Sequence, residues 1–352
     1  MNPSSRSLIL LSALVVSGSA IAAETASVDH TVATNLPDVR AFVNAPADFN
    51  PLTATAEELA SFGFPPRPDS ATAPKAYAEW VRAVTAPATA IVPQLEETSI
   101  YHGPAQIVGT LGTQSETSNS IAVDSSNWSG YAVVNANNPF KVEAVQANYI
   151  VPVAQQAFGT CSSSYRYGSA WVGIDGYNSD DVLQDGIEFD ASCSHGSTSP
   201  FYAAWYEWYP NAETRINNFK LSPGDDMFVE VWNTSSTAGN AYIVNYTANT
   251  KVQISFNAPK GTKLQGNSVE WIVERPGVNG GLATLTNYVA TAFTQNVAWN
   301  YTSKKPTNNY PGGAPSGTVY SITMLDNSHK AISYPVLGGL EDLWFFDEGS
   351  AR

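Results

Sequence analysis

The chain has 352 residues, with 17 Lys plus Arg against 31 Asp plus Glu and a formal net charge of −14. Only 14% of its residues are charged, well under the roughly 25% of an average globular protein, while 43% are hydrophobic, enough for a core-forming domain. The acidic balance excludes nucleic acid and anionic membranes as natural partners. Few cations also mean little charge repulsion once the carboxylates are protonated, so tolerance of low pH is expected.

Arg6 precedes the apolar run 8–16, and Ala20-Ile21-Ala22 supplies a small-x-small cleavage pattern. Residues 1–22 therefore read as a signal peptide, too short to span a bilayer. The mature protein is expected to be exported (extracellular, or periplasmic in a Gram-negative bacterium), free of membrane and monomeric. Export permits disulfides. The two cysteines, Cys161 and Cys193, are expected to form one, worth about 3 kcal/mol through chain entropy, with two free thiols as the alternative. No HExxH, CxxC or Walker loop is present, so neither a metal nor another cofactor is expected.

Residues 23–122 are punctuated by prolines from Pro46 to Pro104. Thr55-Ala56-Glu57-Glu58 has a capping-box pattern opening a short helix, with Gly63 as its stop. A second helix begins near Pro74, where Tyr77, Trp80, Val81 and Val84 recur with helical spacing. Its apolar stripe needs a surface to cover it. The segment reads as a small, partly helical pro-region docked on residues 123–352, with a linker or an independent module as the alternative. The stretch 107–120, rich in Gly, Thr, Ser and Gln, suits a processing loop.

From about Ser125 the chain turns to strands, predicted at 128–135, 142–153, 169–176, 182–189, 201–209, 227–232, 241–246, 251–256, 269–274, 289–298, 320–325 and 342–346. They are rich in Val, Ile, Tyr, Trp and Thr, and turn signals rather than helices separate them. The fold class is all-β, a sandwich of two antiparallel sheets of jelly-roll or lectin-like form.

The chemistry centres on 169–189. Alternation puts Trp171, Gly173 and Asp175 on one face of the first strand, and Gln184, Gly186 and Glu188 on one face of the second. A buried Gln beside a carboxylate and a tryptophan is costly unless paired; a satisfied structural amide is the plain alternative. In 201–209, Trp205, Glu207 and Tyr209 share a face, and in 269–274, Glu270, Ile272 and Glu274 do. Exposed Glu on a sheet is common, so a site requires these faces to converge.

Five motifs in order, SNWSG (126–130), AWVGIDG (170–176), LQDG (183–186), WYEWYP (205–210) and VEWIVE (269–274), resemble the glutamic peptidases, or eqolisins. The resemblance implies a β-sandwich, an acid-active secreted endopeptidase and a catalytic pair falling on Gln184 and Glu274. In the mechanism it implies, Glu274 is the general base and acid while the Gln184 amide holds the water and stabilises the oxyanion. Trp128, Trp171, Asp175 and Glu207 match positions lining the same cleft. Glu207 and Asp175 would orient the pair, and the tryptophans would wall the cleft. Ala203 stands where the family often has Asp. Polypeptides would be the substrates, and the pro-region an intramolecular inhibitor or chaperone that departs on acidification. From the residues alone, a glycoside hydrolase using Glu207 and Glu274, or a sugar-binding module, stays open.

Overall fold

The computed structural model describes residues 30–114, 120–135, 143–303, 306–315 and 317–350. The expected signal peptide lies outside them. Among the described residues no helix is long and apolar enough to cross a membrane.

Thirteen strands make the sandwich: β1 (Trp128–Val134), β2 (Ala144–Ile150), β3 (Ser169–Ile174), β4 (Val182–Ser194), β5 (Ser197–Tyr209), β6 (Asp226–Ser235), β7 (Ala238–Asn245), β8 (Thr250–Asn257), β9 (Ser268–Glu274), β10 (Ala290–Trp299), β11 (Thr318–Leu325), β12 (Ala331–Leu337) and β13 (Leu343–Asp347). A front sheet runs β11-β1-β9-β3-β4-β5 and a back sheet runs β8-β7-β6-β2-β10, antiparallel throughout. β12 and β13 join the two around one edge. Strands β3, β4 and β9 stack on β2, β6 and β7. The core between them is alternate residues of both sheets, such as Val172, Leu183, Ile187 and Trp271 against Val145, Val229, Val231 and Ile243, as the period of two requires.

β12 does not show in the pattern because Pro335 interrupts it. That proline lies beyond the pairing with β11, which ends at Ser333, and is paired only with Phe345 of β13; a one-sided position tolerates a residue without an N–H. The stretch expected to be a processing loop is also a strand over Ile107–Gln114. It pairs with Ile121–Ser125, which in turn runs parallel to β11; residues 115–119 lie outside the described ones. Cys161 and Cys193 are joined in a disulfide, Cα atoms 4.9 Å apart, between the segment before β3 and the end of β4.

The N-terminal segment is a strap over both sheets. Helix α1 (Ala56–Ser61) starts at Thr55 with both bonds of the capping box, and Gly63 follows it with φ 68°. Helix α2 (Pro74–Thr85) turns Ala76, Trp80, Ala83 and Val84 onto the outer face of the back sheet, against Phe228, Trp232, Tyr242, Val297 and Trp299. The Trp80 indole N–H donates to the Pro65 carbonyl at 3.0 Å. Strand Val39–Phe42 then extends the back sheet beside β8, and Leu95–Glu97 extends the front sheet through Thr214–Ile216.

Trp80 is fully buried in this helix-to-sheet contact. Trp80→Ala should therefore lower the stability of the whole chain by about 3–5 kcal/mol, read from denaturant unfolding. A change under 1 kcal/mol would mean that α2 does not stay seated.

Candidate active site

Pairing register decides which side chains meet on the outer face of the front sheet. Glu274 of β9 lies opposite Trp128 of β1 and Ser169 of β3, and Ser169 lies opposite Glu188 of β4. The next row is Ile272, Trp171, Gly186 and Trp205; the next is Glu270, Gly173, Gln184 and Glu207. Directly opposed residues of antiparallel strands point the same way, so these side chains share one surface.

Two glycines shape it. A Cβ on Gly186 would sit 2.3 Å from the Ala170 oxygen and 2.6 Å from Trp171 Cβ, and one on Gly173 would be 2.9 Å from the Trp171 ring. Their bareness lets Trp171 lie flat across the sheet. Its indole N–H then reaches Glu274 Oε2 at 2.9 Å. The other oxygen, Oε1, accepts from Asn127 Nδ2 at 3.1 Å. Asn127 is oriented by Gln106 N–H, which donates to its Oδ1 at 2.8 Å.

The strap crosses this surface at residues 100–106. Ile100–Tyr101 pairs with Gly277–Val278, and the chain then runs between Gln184 and Glu274. The Gln184 amide donates to the His102 carbonyl at 2.6 Å, while Glu207 accepts the His102 backbone N–H at 3.1 Å. The imidazole stacks on Trp205, centroids 3.9 Å apart and planes 5° from parallel. Its Nε2 is 2.8 Å from Glu213 Oε2; its Nδ1 is 3.1 Å from Ser169 Oγ and 3.4 Å from Glu274 Oε2. Past His102, the Gly103 carbonyl accepts from the Trp128 indole at 3.0 Å and the Pro104 carbonyl from Asn127 at 3.0 Å.

Asp175 is directed elsewhere. It ends β3 with φ 71°, and its carboxylate accepts the backbone N–H groups of Gln265, Gly266 and Asn267 at 2.6–2.8 Å. None of those bonds goes to Gln184 or Glu274, so Asp175 fixes the turn into β9 rather than touching the pair. The structure thus brings together Gln184, Glu274, Glu207, Trp128 and Trp171, and sets Asp175 behind them.

Carboxylates dominate the electrostatics. Burial pushes Glu274 above the ordinary range, opposed by the hydrogen bonds and charge of His102 and by the Trp171 and Asn127 donors. Burial also pushes Glu207 well up, with the charges of Glu213 and Glu274 adding to it. Glu213 and Glu188 rise to about 7, chiefly through burial, although Arg215 pairs with both.

A Peptidase A4 family model matches residues 126–333. The chain belongs to the peptidase A4, or eqolisin, family. It is 31% identical over 185 residues to aspergillopepsin-2 of Aspergillus niger and 33% identical over 150 residues to scytalidopepsin B of Scytalidium lignicola, covering 48% and 42% of this chain. The matches span 63% and 51% of those relatives' own lengths. A crystal structure of scytalido-glutamic peptidase with a transition state analog inhibitor superposes with a TM-score of 0.49 at 23% identity, over 63% of this chain and 98% of that one.

The A4 match begins at Ser126 and so leaves out His102, which meets Gln184, Glu207, Glu213 and Glu274. In sequence it is one of four scattered histidines. Asn127 stands in the SNWSG motif, one residue before Trp128, yet nothing in the alternation of β1 assigns it a contact with Glu274. Glu213, Arg215 and Ser169 likewise carry no pattern that assigns them to the site; proximity in sequence to WYEWYP is the signal that points to the first two.

The raised carboxylates set how stability varies with pH. Asp181, Glu188 and Glu213 are each raised to about 7, and burial pushes Asp185, Glu207, Glu230 and Glu270 well up. The folded chain holds these protons where the unfolded chain, with ordinary carboxylates, releases them. Their contribution is therefore present in full below about pH 4 and is lost as pH rises towards about 7. Asp69 and Asp326, held low by backbone N–H groups, act the other way but are exposed. The melting temperature should be higher at about pH 4.5 than at about pH 7.5; the reverse order in a calorimetric scan would contradict this account.

Proposed function

We propose that this chain is an exported acid endopeptidase that hydrolyses peptide bonds with Gln184 and Glu274. The observation that carries this reading is that the two side chains converge on one residue of the strap, His102, Gln184 at its main-chain carbonyl and Glu274 at its ring nitrogen. A groove that accepts main-chain N–H and C=O groups on Glu207, Gln184, Trp128 and Asn127 is suited to an extended peptide. Family membership supports the same reaction class.

In this reading Glu274 takes a proton from water, the water oxygen adds to the peptide carbonyl carbon, and the Gln184 N–H group stabilises the developing oxyanion. Gln184 Oε1, which has no hydrogen-bond partner among the described residues, is the acceptor for the water's second proton. Glu274 then delivers its proton to the departing nitrogen. Pairing one carboxylate with a neutral amide avoids like-charge repulsion. Trp171 and Asn127 aim the base, Glu207 holds the N–H on the acyl side, and Trp128 holds the first carbonyl beyond the bond. Residues 23 to about 102 act as a pro-region whose end fills the groove, with the catalytic domain following.

Wild-type protein should digest denatured protein at about pH 3–4 and keep that activity in the presence of a chelator. Glu274→Gln and Gln184→Ala should each lower kcat by at least about 1000-fold with an unchanged near-UV circular dichroism spectrum. Full activity in either variant rejects the assignment, and release of sugars from polysaccharide by the wild type favours a glycosidase on Glu207 and Glu274.

A further inference from the structure

The strap does more than cover the groove; it lies there in the orientation of something to be cut. Along residues 102–104, four main-chain polar groups face a partner in the groove. The His102 N–H is on Glu207, the His102 carbonyl on the Gln184 amide, and the Gly103 and Pro104 carbonyls on the Trp128 indole and the Asn127 amide. The carbonyl under the amide donor identifies the bond, because the oxyanion forms on that oxygen. It belongs to His102, so the bond is His102–Gly103.

The side chain preceding this bond sits in a fitted pocket. The His102 ring is wholly buried, flat on Trp205, with Glu213 at one nitrogen and Ser169 and Glu274 at the other. Glu213 is itself buried and held by Arg215. A planar ring with a nitrogen at each end fits these partners; an aliphatic side chain would leave the Glu213 carboxylate unpaired on that side.

On both sides of the bond the chain is anchored to the body that would cut it. Upstream, Leu95–Glu97 pairs with Thr214–Ile216, and the Glu213 N–H donates to Ile100 O at 2.9 Å. Downstream, the Ala105 N–H donates to Gly176 O at 3.0 Å, and Ile107–Gln114 joins the front sheet. The bond is thus presented without loss of further chain freedom, the condition under which an intramolecular reaction is fast.

We propose that the protein cuts its own chain between His102 and Gly103, recognising the imidazole of the preceding residue in the Trp205–Glu213–Ser169 pocket. This rests on the peptidase reading above. One water is consumed. Its oxygen bonds to the His102 carbonyl carbon, the C–N bond to Gly103 breaks, and the proton taken by Glu274 passes to the Gly103 nitrogen. The products are a carboxyl group on His102 and an amine on Gly103. Processing in this way leaves strand Ile107–Gln114 with the catalytic domain.

The test is to bring the purified full chain from neutral pH to about pH 4 at several concentrations and follow it by intact mass and N-terminal sequencing, with denatured protein as an added substrate. A new N-terminus at Gly103, formed with a half-time independent of concentration and absent in Glu274→Gln, is the expected result. Digestion of the added protein while the chain stays whole or opens at another bond overturns the proposal and leaves the peptidase reading standing. A half-time that shortens in proportion to concentration overturns the intramolecular cut. If neither the chain nor the added protein is cut, the peptidase reading fails and takes the proposal with it. A synthetic peptide of residues 98–108, which needs no fold, tests the pocket separately. The processed enzyme should cut it after His102, and replacing that histidine by alanine should lower kcat/KM about tenfold or more; equal values for the two peptides overturn the pocket.

Discussion

The site depends on register. Gln184 and Glu207 lie on the consecutive strands β4 and β5 and Glu274 on β9, further along the chain, and they share a surface because each pairing places a like-facing residue opposite the next. Slipping β9 by one residue would replace Glu274 with Val273, which now packs in the core, and would bury a charge among aliphatic side chains. The cost of that exchange on both faces is what holds the register. The core and the site are therefore two sides of one alternation, and neither can be altered alone.

Having gathered carboxylates on a surface covered by chain, the fold must neutralise them. Few cations are available in so acidic a chain. Arg215 serves Glu188 and Glu213, and the His102 ring stands between Glu213 and Glu274. Asp185, Glu207, Glu230 and Glu270 are pushed well up by burial and meet its cost by holding their protons. Asp185, on the core side of β4, and Glu230, on the α2 side of β6, have no hydrogen-bond partner among the described residues, and the charge of Asp185 adds to burial at Glu230. Such an interior suits acid better than neutral water.

How much of this could be read beforehand follows from what alternation can express. It places Gln184, Trp171, Glu207 and Glu274 on outward faces because strands repeat every two residues, and family motifs tie those faces together. Helix α2 and its buried Trp80 follow from helical spacing in the same way. The motif also carries Asp175, but not its use: a residue in the left-handed region at a strand end has left the alternation, and its carboxylate closes on a loop 90 residues away. β12 is hidden by a proline that only a one-sided position explains. His102 has no periodic signal, since an extended strap reports nothing about the surface it crosses. Its contacts with Gln184 and Glu274 exist only in three dimensions.

The strap's two attachments differ in chemistry, and this difference bears on how it could let go. At α2 the contact is largely apolar, centred on Trp80 against Trp232, Tyr242 and Trp299, and apolar burial does not change when carboxylates titrate. At the groove the contact is polar and rests on Glu207, Glu213 and Glu274, each raised above the ordinary range. These acids take up protons earlier than ordinary ones as pH falls. Their proton affinity is raised with the strap seated, chiefly by burial, so protonation favours the covered groove and deprotonation as pH rises weakens that contact, while the helix stays seated. The part of the strap that fills the groove and the part that covers the back sheet are therefore separable by pH.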